Sequence, residues 1–200
     1  MKKVIAALLF TLLSGLLPAQ AETKKLTLML DWFVNPNHGP IVIAKQRGYF
    51  KDQGLEVDIQ EPADPNMPPK LVATGKVDLA ISYQPSLTIS VAAGLPLIRS
   101  ATLIATPLNT LMVLKEGKVK TLADLKGKKI GIAIAGNEEA IISTMLKQVG
   151  LKYSDVSIVN VGWALSSSLA SGKVDAIWGG LRNFETNQLA LEGFEAKAFF

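Results

Sequence analysis

The chain has 200 residues, with 21 basic against 17 acidic side chains, 48% hydrophobic residues and no cysteine. The lack of cysteine excludes a disulfide framework, a thiolate metal site, a cysteine nucleophile and a lipidated N-terminal cysteine. Removing an expected leader of 21 residues leaves 179, with 19 basic and 17 acidic side chains, so the formal charge falls from +4 to +2 and gives no case for a nucleic-acid binder.

That leader is the first element in chain order. Lys2 and Lys3 supply a basic start, residues 4–17 form an apolar run, and Ala19-Gln20-Ala21 has the small-x-small form of a secretory cleavage site. The run is shorter than the ~20 apolar residues of a membrane span. Residues 1–21 are therefore expected to be a signal peptide, and the remainder an exported, periplasmic, non-spanning protein.

Beyond it, short apolar runs alternate with longer amphipathic stretches, which predicts an α/β protein with mainly parallel sheets. Strands are expected over 26–32, 56–60, 77–83, 97–104, 110–114, 129–135, 156–161, 174–178 and 195–200. Helices are expected over 40–47, 68–74, 85–93, 122–126, 138–149, 164–171 and 184–191. Thr121-Leu-Ala-Asp124 reads as a capping box in which Asp replaces the usual Glu.

An internal repeat organises these elements. Val72-Ala-Thr-Gly-Lys-Val-Asp78 is echoed by Leu169-Ala-Ser-Gly-Lys-Val-Asp175, and Gly54-Leu55 by Gly150-Leu151, at offsets of 97 and 96 residues. Two matches in one order and nearly one register predict two lobes built on the same βαβ unit. Lobe one is expected over 22–105, with the crossing and lobe two over 106–200. Ligands of open α/β sheets bind beyond the carboxyl ends of the strands, so the cleft between the lobes is the expected site.

The strand ends carry the candidate ligand-binding residues. Asp31-Trp32-Phe33 closes the first strand and leads into Val34-Asn-Pro-Asn37-His38-Gly39, which holds the only histidine. Trp32 also suits a core position, Asn37 a helix cap, and His38 a structural hydrogen bond. Tyr83 ends the third strand and Trp178 its repeat partner, with Trp163 past another strand end; such aromatics either fill the core or sandwich a planar ligand. Leu181-Arg182-Asn183-Phe184-Glu185 opens a helix, where Glu185 either favours the helix dipole and pairs with Arg182 or joins Asp31 in receiving amino or ring N–H donors. Acidic Glu138 and Glu139 at another helix start oppose an anion there. Ser166-Ser167-Ser168 offers hydroxyls that either stay within their helix or face a ligand. Phosphate-loop, dinucleotide, zinc-protease and serine-hydrolase motifs are absent from the sequence, so no cofactor, no metal and no catalytic residue is expected.

Leu30-Asp31-Trp32-Phe33 with Asn35-Pro36-Asn37-His38-Gly39, Gly48-Tyr49-Phe50, the Gly-Lys-Val-Asp repeats and Trp178-Gly179-Gly180-Leu181-Arg182-Asn183-Phe184-Glu185 together resemble a known family. They are similar to the periplasmic solute-binding proteins of ABC importers, in the ThiY-like, NMT1/THI5-like branch. The resemblance implies a type II two-lobed binding protein, monomeric and not an enzyme, that closes on a thiamine pyrimidine precursor of the formyl-aminopyrimidine or hydroxymethylpyrimidine type. Its partners would be a permease and an ATPase. Asp31 and Trp32 would contact the ligand, Asn37 and His38 would border it, and Glu185 would receive the aminopyrimidine donors. Some relatives carry tyrosine where this chain has Leu181. A sulfonate-, nitrate- or taurine-like anion, or a pyrimidine synthase of the same fold, are the alternatives. The resemblance also implies a total near 300 residues, so the chain is expected to lack a return segment that completes lobe one.

Overall fold

The computed structural model describes residues 22–136 and 138–199, and the expected signal peptide lies outside them. Two sheets form. The first has β1 (Lys24–Met29), β2 (Leu55–Gln60) and β3 (Leu79–Ala80) in the order β2-β1-β3, all parallel. The helices α1 (Gly39–Gln46) and α2 (Tyr49–Asp52) connect β1 to β2, α3 (Pro68–Ala73) connects β2 to β3, and α4 (Gln84–Ala92) follows.

The second sheet contains β4 (Asn109–Leu114), β5 (Lys129–Ile132), β6 (Ser157–Asn160), β7 (Ala176–Leu181) and β8 (Ala196–Phe199) in the order β6-β5-β7-β4-β8. Here α5 (Glu138–Lys147) connects β5 to β6, α6 (Leu165–Ala170) connects β6 to β7, and α7 (Glu185–Leu191) connects β7 to β8. β5 lies between β6 and β7, parallel to both, as β1 lies between β2 and β3. The repeated aspartates do the same job in each sheet. Asp78 Oδ2 accepts the Thr27 N–H of β1 at 2.8 Å, and Asp175 Oδ2 accepts the Lys129 N–H of β5 at 2.9 Å.

Local sequence explains the differences between strands. β2 alternates half-buried Leu55, Val57 and Ile59 with exposed Glu56, Asp58 and Gln60, the period-2 pattern of a sheet edge with one wet face. β5 and β7 sit inside the second sheet, and Ile130, Ile132, Ala176 and Ile177 are buried there. Gly179 is a bulge: β4 pairs Thr110 with Gly180 but Leu111 with Trp178, so Gly179 is the extra residue, at φ 93°. Only glycine takes that left-handed conformation readily.

Several expectations change. No strand forms over 97–104, where Ile98 is 90% exposed. An apolar run becomes a strand only beside a partner, and β3 at that sheet's edge is paired over just two residues. For the same reason the strand expected over 77–83 shrinks to β3. β4 runs antiparallel to β7 and β8, a reversal that composition does not carry. The Thr121/Asp124 capping box forms, with Asp124 Oδ2 accepting the Thr121 N–H at 2.8 Å, but it starts a 3-10 turn over Leu122–Leu125 rather than an α-helix.

The core has two clusters, one on each side of the second sheet. One gathers Leu111, Val113, Ile130, Ile142 and Leu146. The other gathers Met112, Ala133, Leu165, Ile177 and Leu189, and into it Trp32 inserts from the loop after β1. A large aromatic buries 150–250 Å², so this side chain is a substantial apolar contact between the loop after β1 and lobe two.

Candidate functional site

The loop between β1 and α1 is held by its own polar groups. Asn35, not Asn37, caps the 3-10 turn Pro36–His38: its Oδ1 accepts the Asn37 N–H at 3.0 Å, and its own N–H donates to His38 Nδ1 at 3.2 Å. Because Nδ1 accepts, the imidazole proton is on Nε2, which donates to Asp31 Oδ1 at 2.8 Å. The Tyr83 hydroxyl donates to Asp31 Oδ2. Both oxygens of the carboxylate are therefore occupied. Burial works to raise the Asp31 carboxyl, but the hydrogen bonds from His38 and Tyr83 outweigh it and hold it below its ordinary value. Burial first, and then the Asp31 charge, push the Tyr83 phenol well above its own, so Tyr83 stays a donor.

Two cavities lie at the lobe junction. The first, about 480 Å³ including its open mouth, is lined by Trp32, Tyr83, Asn109, Trp178, Leu181 and Glu185 among others. The second, about 260 Å³, is lined by Phe33, Trp163, Ser166, Ser167 and Gln188, and shares Trp32, Leu165 and Glu185 with the first. The Gly179 bulge carries β7 past the first cavity without a side chain there. Trp32 is tilted against Trp163 at 4.4 Å between ring centroids, and Phe33 meets Phe184 edge-on at 5.6 Å.

Glu185 is 3% exposed at the start of α7, and its Oε2 accepts the Leu181 N–H at 2.6 Å. Burial pushes its carboxyl up to about 7; the Leu181 amide opposes this and the nearby Asp31 charge adds to it. The Trp32 indole N–H is buried and has no partner among the described residues. Trp32 and Glu185 thus line the same cavities, one with an unpaired buried donor and the other with a buried carboxyl. Unpaired buried donors are rare and costly, and a ligand acceptor removes that cost.

Trp32, Tyr83, Trp178 and Glu185 come together around the first cavity, and Trp163 at the second. Asp31 and His38 are not among the residues lining either; Asp31 bonds both His38 and Tyr83, and His38 is 2% exposed, so the chain His38–Asp31–Tyr83 reaches the first cavity through Tyr83. Asn37 and Asn183 also line neither cavity. They bond each other across the lobes, Asn183 Nδ2 to Asn37 Oδ1, at 2.6 Å. Arg182 is not what holds Glu185; the Leu181 amide is. Asn109 and Gln188 escaped the sequence reading, although Gln188 follows Glu185 by three residues and therefore shares its helix face. Among the described residues no group of His, Cys, Asp and Glu could hold a metal, and no helix is long and apolar enough to cross a membrane.

The family model described as NMT1/THI5 like matches residues 35–200, which include every cavity-lining residue except Trp32 and Phe33. The chain belongs to the NMT1/THI5-like family. Among its relatives, a Haemophilus influenzae protein named for thiamine biosynthesis is 54% identical over 194 residues, covering 96% of this chain and 62% of the relative. A formylaminopyrimidine-binding protein of Halalkalibacterium halodurans is 37% identical over 172 residues, covering 86% of this chain and 52% of the relative. The chain thus spans less than two thirds of the length of either. The alkanesulfonate-binding protein SsuA of Xanthomonas axonopodis pv. citri, solved with MOPS bound, superposes with a TM-score of 0.66 at 20% identity, covering 90% of this chain and 61% of that one. That likeness shows the fold, the two-lobed type II fold of periplasmic binding proteins.

Proposed function

We propose that this NMT1/THI5-like protein is the extracytoplasmic binding component of an ABC importer, taking up a thiamine pyrimidine precursor of the formyl-aminopyrimidine or hydroxymethylpyrimidine type. The observation that carries the reading is that Trp32, whose buried indole N–H lacks a partner among the described residues, and the Glu185 carboxyl line the same cavity together with Tyr83 and Trp178. An aminopyrimidine presents ring-nitrogen acceptors beside an amino donor, the complement of that pair, and its flat ring suits Trp32, Tyr83 and Trp178. In this reading the protein is a monomer in the periplasm, exported through the leader at 1–21, and hands its ligand to a permease driven by an ATPase. It binds without turning the ligand over.

A sulfonate-like anion fits poorly, because neither cavity is lined by Lys, Arg or His and Glu185 borders both. Calorimetric titration with a 4-aminopyrimidine and with an alkyl sulfonate tests the reading. Saturable heat with the aminopyrimidine alone is expected; heat with the sulfonate alone overturns it.

A further inference from the structure

The second cavity is chemically unlike the first. Beside its aromatic edge of Phe33 and Trp163 it is lined by two hydroxyls and an amide, those of Ser166, Ser167 and Gln188. Ser166 is 5% exposed, and its Oγ bonds Gln188 Oε1 at 3.0 Å, which ties α6 to α7 at this wall. Trp32, Leu165 and Glu185 line both spaces, so a ring in the first cavity has its neighbouring substituent beside the second. We infer that the Ser166–Ser167–Gln188 cavity is a subsite that reads a small uncharged polar substituent of the ring, a hydroxyl or formamide, and rejects its phosphate ester.

The selectivity follows from charge and hydrogen-bonding capacity. The Ser166 hydroxyl donates to Gln188 Oε1 and the Ser167 hydroxyl to Ala164 O, which leaves the two serine oxygens as acceptors and the Gln188 amide N–H groups as donors, so an alcohol or formamide finds partners of either kind. A phosphate monoester brings about −1.5 to −2 charges near neutral pH. In this subsite it would meet no cation on the lining and the Glu185 carboxyl on the shared wall. Burying a charge without a counter-ion is strongly unfavourable. A ring carrying only a methyl group would enter but leave the hydroxyls without a ligand partner.

The inference rests on the aminopyrimidine reading of the first cavity, and the experiment separates the two. Three compounds are titrated against the wild-type protein and against Ser166→Ala, Ser167→Ala and Gln188→Leu: a 4-aminopyrimidine with a 5-hydroxymethyl group, its 5-methyl analogue, and the phosphate ester of the alcohol. Wild-type protein is expected to bind the alcohol about fivefold to tenfold more tightly than the methyl compound, the worth of one neutral hydrogen bond or slightly more. The phosphate ester is expected to bind at least about a hundredfold more weakly than the alcohol. In the variants the alcohol-to-methyl ratio falls toward one. Because the readout is a ratio within each variant, a general loss of stability cancels, and three single changes guard against one that fails to fold. Alcohol and ester of equal affinity, or a ratio unchanged in all three variants, overturns the subsite while leaving the first cavity's assignment standing. If none of the three compounds binds, the aminopyrimidine reading falls and the subsite with it.

Discussion

Asn183 and Asn37, 146 residues apart, join the two lobes through a single amide-to-amide hydrogen bond of 2.6 Å. A second polar link runs from the Ala135 N–H to Asn66 Oδ1 at 3.0 Å, and Phe33 bridges to Trp163 and Phe184. All of these contacts join the loops after β1 and β2 to lobe two, so opening the lobes breaks them while leaving the sheets intact. Asn183→Ala removes one without touching either cavity. We expect ligand dissociation to accelerate about threefold to tenfold, the worth of a net hydrogen bond, with little change in the association rate. Stopped-flow tryptophan fluorescence reads both rates, and an unchanged dissociation rate would show that the bond contributes nothing to closure.

Glu185 gives a stability prediction with a definite sign. Its folded pKa of about 7 lies above the ordinary 4.5, so folding favours the protonated form. The contribution is fully present below about pH 4.5 and is lost as pH rises through 7, on the order of 3 kcal/mol in total. Glu185→Gln keeps the shape without the charge. The unliganded variant should therefore melt higher than wild type at pH 8 and converge with it near pH 5. Thermal melts of both proteins across that range decide it; a constant difference between them would mean that the carboxyl ionises in the folded state as it does in water.

The same group links binding to protons. Ligand N–H donors favour the ionised carboxylate and lower its pKa. At pH 6 to 7, where much of Glu185 is protonated, binding an aminopyrimidine should release up to one proton, and affinity should rise toward pH 8. Calorimetry in buffers of different ionisation enthalpy measures the release directly. Glu185→Gln should abolish it and weaken binding by at least about 1.5 kcal/mol, as expected for a charged hydrogen bond. Proton uptake instead of release would mean that the ligand prefers the neutral acid.

What the sequence made legible was set by repetition and by topology. The Gly-Lys-Val-Asp echo located two equivalent sheets, and strand ends located the loop carrying Trp32 and the turn carrying Glu185. Side-chain direction was not legible. Asp31 and Trp32 are neighbours, yet Trp32 crosses into the second lobe's core while Asp31 turns back to His38 and Tyr83. Ser166 and Gln188 meet only because α6 and α7 pack together, a contact 22 residues apart with no local pattern to announce it. The 97–104 run shows the converse: strand-like composition is inert without a neighbouring strand to pair with.

Asp175 offers the most direct test of the repeat as a physical device. Its backbone N–H donates to Lys129 O at 2.9 Å while its carboxylate accepts the Lys129 N–H at 2.9 Å, so the side chain completes the ladder of β5 one residue before β7 begins. Asp78 does the same to Thr27, at 3.2 and 2.8 Å. Alanine at either position leaves a strand N–H without its acceptor, whereas asparagine keeps an acceptor in the same place. Asp175→Ala should cost about 1–3 kcal/mol and Asp175→Asn clearly less. Asp78→Ala should cost less than Asp175→Ala, because Asp78 is exposed and Asp175 half-buried, so water replaces the lost acceptor more easily at Thr27. Urea midpoints at unchanged m-value give the comparison. If Asp175→Asn proves as damaging as Asp175→Ala, the charge matters more than ladder geometry, and the shared motif then serves an electrostatic purpose in both lobes.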